Sequence, residues 1–279
     1  MVSRVVLLLS TVCLGVLLAG GAALAANAIS CPGGLCNGTT GDDEMTGTSG
    51  TDYLYAKEGN DTLRGLGAFD DLRGGPGNDD LDGGRGNDQY NIYEANWGSD
   101  RISGDGGGAE DWLIFQIPSV PLTIDLIPTS GQPEASSGTN RINFASDVVI
   151  EWVQAGPAGD TVKGNNADNY LSGAGGNDTL LGRRGNDDLL GDIVVFGNVG
   201  NDTLNGGPGD DDLDGGPGGD NLTGGPDNDV LDGGPGSDVF YAQDGEADEI
   251  ICGEGADVIH ADPSLDSISI PDCIDFVHP

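Results

Sequence analysis

The stretch GGPGNDDLDGGRGNDQYN, Gly74 to Asn91, is two nine-residue units set head to tail, each combining glycines, an Asp and one central apolar residue. Cutting the chain every nine residues from Gly38 gives GTTGDDEMT, GTSGTDYLY, AKEGNDTLR, GLGAFDDLR, GGPGNDDLD and GGRGNDQYN, with no insertion. Position six is always Asp: Asp43, Asp52, Asp61, Asp70, Asp79 and Asp88. Position eight is Met45, Leu54, Leu63, Leu72, Leu81 and Tyr90. Neither an amphipathic helix nor a half-buried strand produces a period of nine.

The register returns as AGPAGDTVK from Ala155, GNNADNYLS, GAGGNDTLL and GRRGNDDLL. After an apparent insertion, Gly191 to Phe196, it resumes as GNVGNDTLN, GGPGDDDLD, GGPGGDNLT, GGPDNDVLD and GGPGSDVFY. Position six is Asp160, Asp178, Asp187, Asp202, Asp211, Asp220, Asp229 and Asp238, with Asn169 the exception, and position eight is apolar from Val162 to Phe240. Glycines at positions one, two and four suit positive φ in a tight turn, and Asn or Asp at position five tolerates the same region. The last three residues read as a short strand, so turn and strand alternate and the strands stack as an all-β solenoid.

Composition agrees: 51 glycines and 5 % aromatic residues leave only a thin core. A formal charge of −37 suits neither nucleic acid nor an anionic membrane, and points to a cationic partner. Acidity alone could equally serve solubility or disorder; the strict pattern decides against that. Stacked strands lie about 4.8 Å apart, so carboxylates in one column repel by about 1 kcal/mol per pair in water and more when buried. Calcium accepts carboxylates and carbonyls together in irregular geometry, whereas magnesium demands an octahedron and zinc prefers His or Cys.

GGPGNDDLD and GGPGSDVFY match the motif GGxGxDxUx at every defined position, and the units resemble the repeat-in-toxin (RTX) nonapeptides of haemolysin-type calcium-binding proteins. The resemblance spans fifteen units, about half of the chain. It implies a right-handed parallel β-roll or β-helix, two nonapeptides per coil, that folds on calcium. The implied ligands are the position-six aspartates named above and turn glycines such as Gly75, Gly77, Gly84, Gly86, Gly207, Gly209, Gly216, Gly218, Gly234 and Gly236. With two units per coil, Asp79 stacks on the column of Asp61, and Asp88 on that of Asp70. The sites at Asp61 and Asp70, in glycine-poor units, and around Asn169 are expected to be weak. The insertion is expected to bulge from the roll or to begin a separate stack.

The flanks divide the chain further. Residues 1–25 carry Arg4, an apolar run from Val5 to Leu18 and an Ala23-Leu24-Ala25 cleavage site, the grammar of a secretory signal rather than of a membrane anchor. Residues 26–37 form an N-terminal segment, 38–91 and 155–241 the two repeat blocks, and 242–279 a tail of degenerate repeats. In the tail, Asp248, Asp257 and Asp266 keep a blurred register with Ile250, Ile259 and Ile268. With Cys13 removed in the signal, Cys31 pairs economically with Cys36 and Cys252 with Cys273, the latter as an end cap; a zinc site fits neither spacing. Residues 92–154 lose the nonapeptide and read as an interposed β segment of longer strands, Trp112 to Ile117, Val120 to Ile127 and Val148 to Val153, that extends the solenoid and supplies apolar mass. Trp97, Trp112 and Trp152 lie there, most simply as buried side chains.

No His-Glu-x-x-His or Gly-x-Ser-x-Gly motif occurs, and His260 and His278, the only histidines, read as surface residues. Asn60, Asn177 and Asn201 open Asn-x-Thr triplets on position five, repeat grammar rather than glycosylation sites. The sequence therefore predicts a secreted, non-enzymatic binder of multiple calcium ions without nucleic acid or membrane insertion. The alternative is a surface or matrix adhesin in which the roll is a scaffold and residues 92–154 bind a protein or polysaccharide. The signal also disfavours the type I export usual for such repeats, although Asp275-Phe276-Val277 resembles the ends of those substrates.

Overall fold

Two inward-facing side chains per strand, an Asp and an apolar residue two positions later, set the architecture. In the computed structural model, residues 26–105, 110–116, 120–127, 135–138, 140–145, 148–192, 199–269 and 275–276 are described. The expected signal, residues 1–25, lies outside them. Among the described residues there is no helix, and parallel strands stack into a β-solenoid of about 12 coils. Alternate nonapeptides feed alternate walls. Asp43–Thr46, Thr62–Gly67 and Asp80–Arg85 belong to one sheet, and Asp52–Tyr55, Asp70–Arg73 and Gln89–Ile92 to the other. Leu63 lies opposite Leu81, and Leu72 opposite Tyr90, so pairs sit eighteen residues apart and one coil is two units.

The position-eight residues are the core. Met45, Leu54, Leu63, Leu72, Leu81, Tyr90, Leu213, Leu222, Leu231 and Phe240 are fully buried. Each such side chain contributes about 1.5–3 kcal/mol on burial, in a column only one residue wide per wall.

The ladders run without a break through regions that the sequence separates. Ser99–Asp105 pairs with Asp80–Arg85, and Trp112–Phe115 with Gln89–Ile92, so 92–154 continues the same two walls. Its strands are mostly short, such as Trp112–Phe115, Thr123–Asp125 and Trp152–Gln154. The three expected runs are cut back to four, three and three residues, whereas Ser99–Asp105 in the same segment runs to seven. Ala135–Ser137 runs antiparallel between Thr123–Asp125 and Asn140–Phe144. Strands on either side of the insertion pair directly, Thr179–Leu181 with Thr203–Asn205 and Asp188–Asp192 with Asp212–Asp214, so no separate stack begins there.

The ends are also coils. Asn27–Ser30 and Gly34–Asn37 pair with the first repeat strands, and the Cys31–Cys36 disulfide closes this coil. In the tail, Glu249–Ile251, Val258–Ala261 and Ser267–Ser269 extend the walls, and Asp275–Phe276 pairs with Val258 and Ile259 as a further rung. Cys252 is disulfide-bonded; its expected partner Cys273 lies outside the described residues.

Two turn positions, one glycine and one asparagine, differ from expectation. Positive φ occurs at position two, as at Gly75 (98°), but not at position-one residues such as Gly74. A methyl group on Gly74 would instead collide with the Asp79 carboxylate, so that glycine makes room. Position-five Asn60, Asn78, Asn186 and Asn201 do not adopt positive φ either. Their side-chain oxygens accept amides of the next coil, from Asn78, Ser99, Asp210 and Gly219 at 3.1, 2.9, 3.3 and 2.8 Å.

Candidate metal centres

Strand alternation turns position six inward together with position eight. Asp61, Asp70, Asp79, Asp202, Asp211 and Asp238 are accordingly at most 3 % exposed. An isolated ionised carboxylate at such a place is strongly unfavourable. One oxygen is answered by the backbone: Oδ1 accepts the amide of the position-six residue one coil earlier. Asp61 receives Asp43 N at 2.7 Å, Asp79 receives Asp61 N at 2.8 Å, Asp70 receives Asp52 N at 2.7 Å and Asp88 receives Asp70 N at 2.9 Å. The two columns are thus the ones expected from two units per coil. The second block repeats the arrangement, Asp187 N to Asp211 at 2.7 Å and Asp211 N to Asp229 at 2.9 Å. Even across the insertion, Asp178 N reaches Asp202 at 2.8 Å.

The other oxygen has no such answer. Oδ2 of Asp61, Asp70, Asp79, Asp178, Asp187, Asp202, Asp211, Asp220, Asp229 and Asp238 is buried and receives no hydrogen bond. Backbone carbonyls crowd the same space. A methyl group on Gly65 would collide with both Asp70 Oδ2 and the Gly83 carbonyl, and one on Gly77 with the Gly59 carbonyl. Turns of this kind present anionic and carbonyl oxygens together, the hard donor set that suits calcium.

The columns are not uniform. Asp43 takes Asn27 Nδ2 at 3.0 Å and Thr39 N at 2.6 Å, and Asp160 takes Leu122 N at 2.8 Å and Gly156 N at 2.9 Å, so both oxygens of each are engaged. At Asp52, Thr48 N and Oγ1 occupy Oδ2 at 2.6 and 3.0 Å, leaving Oδ1. Lys57 Nζ donates to the Gly38 carbonyl at 2.6 Å, so a tethered ammonium already uses an acceptor near Asp43. Asn169 offers Oδ1 to Asn165 N at 2.7 Å, while its buried Nδ2, a donor, stands where a carboxylate oxygen would be.

Burial is the first cause of the raised acidities. It pushes Asp61, Asp160, Asp187 and Asp220 up to about 6. Asp70, Asp79, Asp202, Asp211 and Asp238 rise to about 7, and Asp178 and Asp229 to about 8. Hydrogen bonds from the amides one coil earlier pull most of these down, and repulsion along the column adds to the rise, as between Asp79 and Asp61. Near neutrality such a column requires either protons or a cation.

The expected ligand set leaves out five members, although the register of Asp248, Asp257 and Asp266 is legible in the tail; the last of them, Asp266, accepts Asp248 N at 3.2 Å. Asp100 accepts Asp79 N at 3.0 Å, Asp111 accepts Asp88 N at 2.8 Å, Asp248 accepts Asp229 N at 2.9 Å and Asp257 accepts Asp238 N at 3.0 Å. Asp248 and Asp257 also bury an unanswered Oδ2, and burial lifts Asp100 to about 8. Their signal is the bare triplet Asp-x-apolar, Asp100-Arg101-Ile102 and Asp111-Trp112-Leu113, which survives where the glycines do not.

Among the described residues, no three or more His, Cys, Asp or Glu side chains gather into one chelating cluster. The donor set is carboxylates spaced by coils plus carbonyls. No curated protein matches the chain. The family model for the RTX calcium-binding nonapeptide repeat (4 copies) matches residues 37–63, 55–90, 154–189, 194–222 and 214–246, just over half of the chain. Repeat, solenoid and carboxylate columns agree, and the chain belongs to the family of RTX calcium-binding nonapeptide-repeat proteins.

Proposed function

We propose that this is a secreted, non-catalytic calcium-binding protein whose roll becomes rigid when extracellular calcium neutralises its carboxylate columns. The observation that carries the reading is the row of buried, unanswered Oδ2 atoms. Asp61, Asp70, Asp79, Asp178, Asp187, Asp202, Asp211, Asp220, Asp229 and Asp238 would hold the ions with carbonyls of the adjoining turns. Bound calcium supplies divalent charge and a demand for six to eight oxygens, at affinities of about 10⁻⁴ to 10⁻³ M for extracellular modules. The chain's own part is to hold Oδ1 on the neighbouring coil, which fixes the carboxylate, and to exclude water with the position-eight core. Export is supported by the leader-like residues 1–25, by the Cys31–Cys36 disulfide and by the typical secretion of RTX-repeat proteins. His260 stacks on Tyr241 at 5.0 Å and is read as structural.

The adhesin reading draws on one feature. Trp152, 36 % exposed, stands between Trp112 and Tyr170, at 5.2 and 4.2 Å between ring centres, beside a recess of about 170 Å³. The ring faces are spent on one another and leave mainly edges to a ligand, so the stack is first a brace across three coils. The calcium reading is therefore preferred.

Far-UV circular dichroism and limited proteolysis of the full chain, with calcium and with excess chelator, test it. Expected are a calcium-dependent gain of β signal and protease resistance. An identical spectrum and digestion pattern in chelator would refute coupled folding.

A further inference from the structure

The insertion begins later than the sequence indicates. Gly191, assigned by spacing to the insertion, occupies position one of the Asp202 turn: a methyl group on it would lie 2.5 Å from Asp202 Oδ2 and would collide with the Gly215 carbonyl. Asp192 then takes position two, within the strand Asp188–Asp192 and paired with Ala174. At this position other coils carry Gly216 and Gly234, or outward residues such as Lys57 and Leu66 with φ of 85°. Asp192 has no positive φ. Its side chain is fully buried, and neither carboxylate oxygen accepts a well-formed hydrogen bond.

Three position-six aspartates feel its charge: Asp178, Asp202 and Asp220, consecutive members of one column. The Gly200 amide offers Asp192 a partial counter-charge. Among the described residues, no lysine, arginine or histidine forms an ion pair with it. An extra acidic group, fully buried beside a carboxylate column with only the Gly200 amide near it and no cationic partner, has no structural benefit without a cation.

We propose that Asp192 is an off-motif calcium ligand that makes the Asp202 turn the most highly charged cation site of the roll and the first to fill. Affinity in oxygen-ligand calcium sites rises with the number of charged ligands. The coil just before the insertion would then close first and set the register for both blocks. This inference rests on the calcium reading.

Calcium titration of the full chain by isothermal calorimetry separates the two. The chains compared are wild type, Asp192→Asn, Asp192→Gly and, as a control within the motif, Asp211→Asn. Asp192→Gly restores the residue that Gly216 and Gly234 provide at this position, so folding is retained. Both Asp192 variants are expected to weaken the tightest calcium step by about tenfold or more, whereas Asp211→Asn leaves that step in place. Melting should shift in opposite directions: Asp192→Gly melts higher than wild type in excess chelator and lower in saturating calcium. A purely structural residue would shift both the same way. If wild type binds calcium and the tightest step survives both Asp192 substitutions, the inference is overturned and the calcium reading stands. If wild type takes up no calcium, both fall.

Discussion

At the residue scale, position-six aspartates such as Asp61, Asp79 and Asp211 perform two tasks with two oxygens. Oδ1 is a strut to the coil before it, and Oδ2 is left for a cation. The sequence makes Asp61, Asp79 and Asp211 legible as ligands because charge and period recur together; the strut is invisible there, since a backbone amide leaves no trace in composition. Substitutions separate the tasks. Asp211→Asn keeps an acceptor for Asp187 N but loses the charge, so it is expected to raise the calcium midpoint with little loss of the calcium-free fold. Asp211→Ala also strands the Asp187 amide, now bonded at 2.7 Å, and should cost about 1–3 kcal/mol more. The double substitution Asp79→Ala with Asp211→Ala should raise the midpoint further, being placed in both blocks. Calcium titrations of the variants, with denaturant melts, check each, and equal effects of Asn and Ala would remove the strut.

At the scale of the element, one short strand carries one core residue, so the wall has no redundancy. Leu213→Ala, at a fully buried position, is expected to cost about 2–5 kcal/mol and to expose its own coil to protease before the ends of the roll. Strand identity was readable wherever Asp-x-apolar survived, including Glu249–Ile251. It was misread at Trp112 to Ile117, Val120 to Ile127 and Val148 to Val153, because continuous apolar runs look like long strands, whereas only Trp112–Phe115, Thr123–Asp125 and Trp152–Gln154 pair into the walls. The N-terminal coil was read only as a segment because Asn27-Ala28-Ile29 replaces the Asp by an amide. That Asn27 Nδ2 donates to Asp43 Oδ1 at 3.0 Å makes it a neutral terminus for the column. Reduction of Cys31–Cys36 should fray this coil alone, seen as faster amide exchange at residues 27–37 with the repeat core unchanged.

At the scale of the whole molecule, a charge of −37 and columns of carboxylates raised to about 6 to 8 make stability depend on pH and calcium together. Folded-state acidities above the unfolded value of about 3.9 mean that the unfolded chain loses protons first as pH rises. Stability of the calcium-free chain is therefore greatest below about pH 4 as far as these groups are concerned, and falls as pH rises to about 8. Calcium displaces those protons, so its binding should tighten over the same window and release protons. Melting curves in chelator at several pH values check the sign, and a calcium-free melting temperature that climbs from pH 5 to pH 8 would contradict it. The sequence revealed the solenoid and its cation demand because both follow from a period of nine; it did not reveal that the stack passes the insertion unbroken, which depends on strands pairing across twenty-four residues instead of eighteen.

The central claim is that the buried, unanswered carboxylate oxygens are calcium sites. Equilibrium dialysis of the full chain against about millimolar calcium near neutral pH tests it most directly. Several ions retained per chain, and a clear drop in that number after Asp202→Asn, Asp211→Asn and Asp220→Asn are combined, is the predicted result. No retained calcium, or a stoichiometry untouched by the triple substitution, would contradict it.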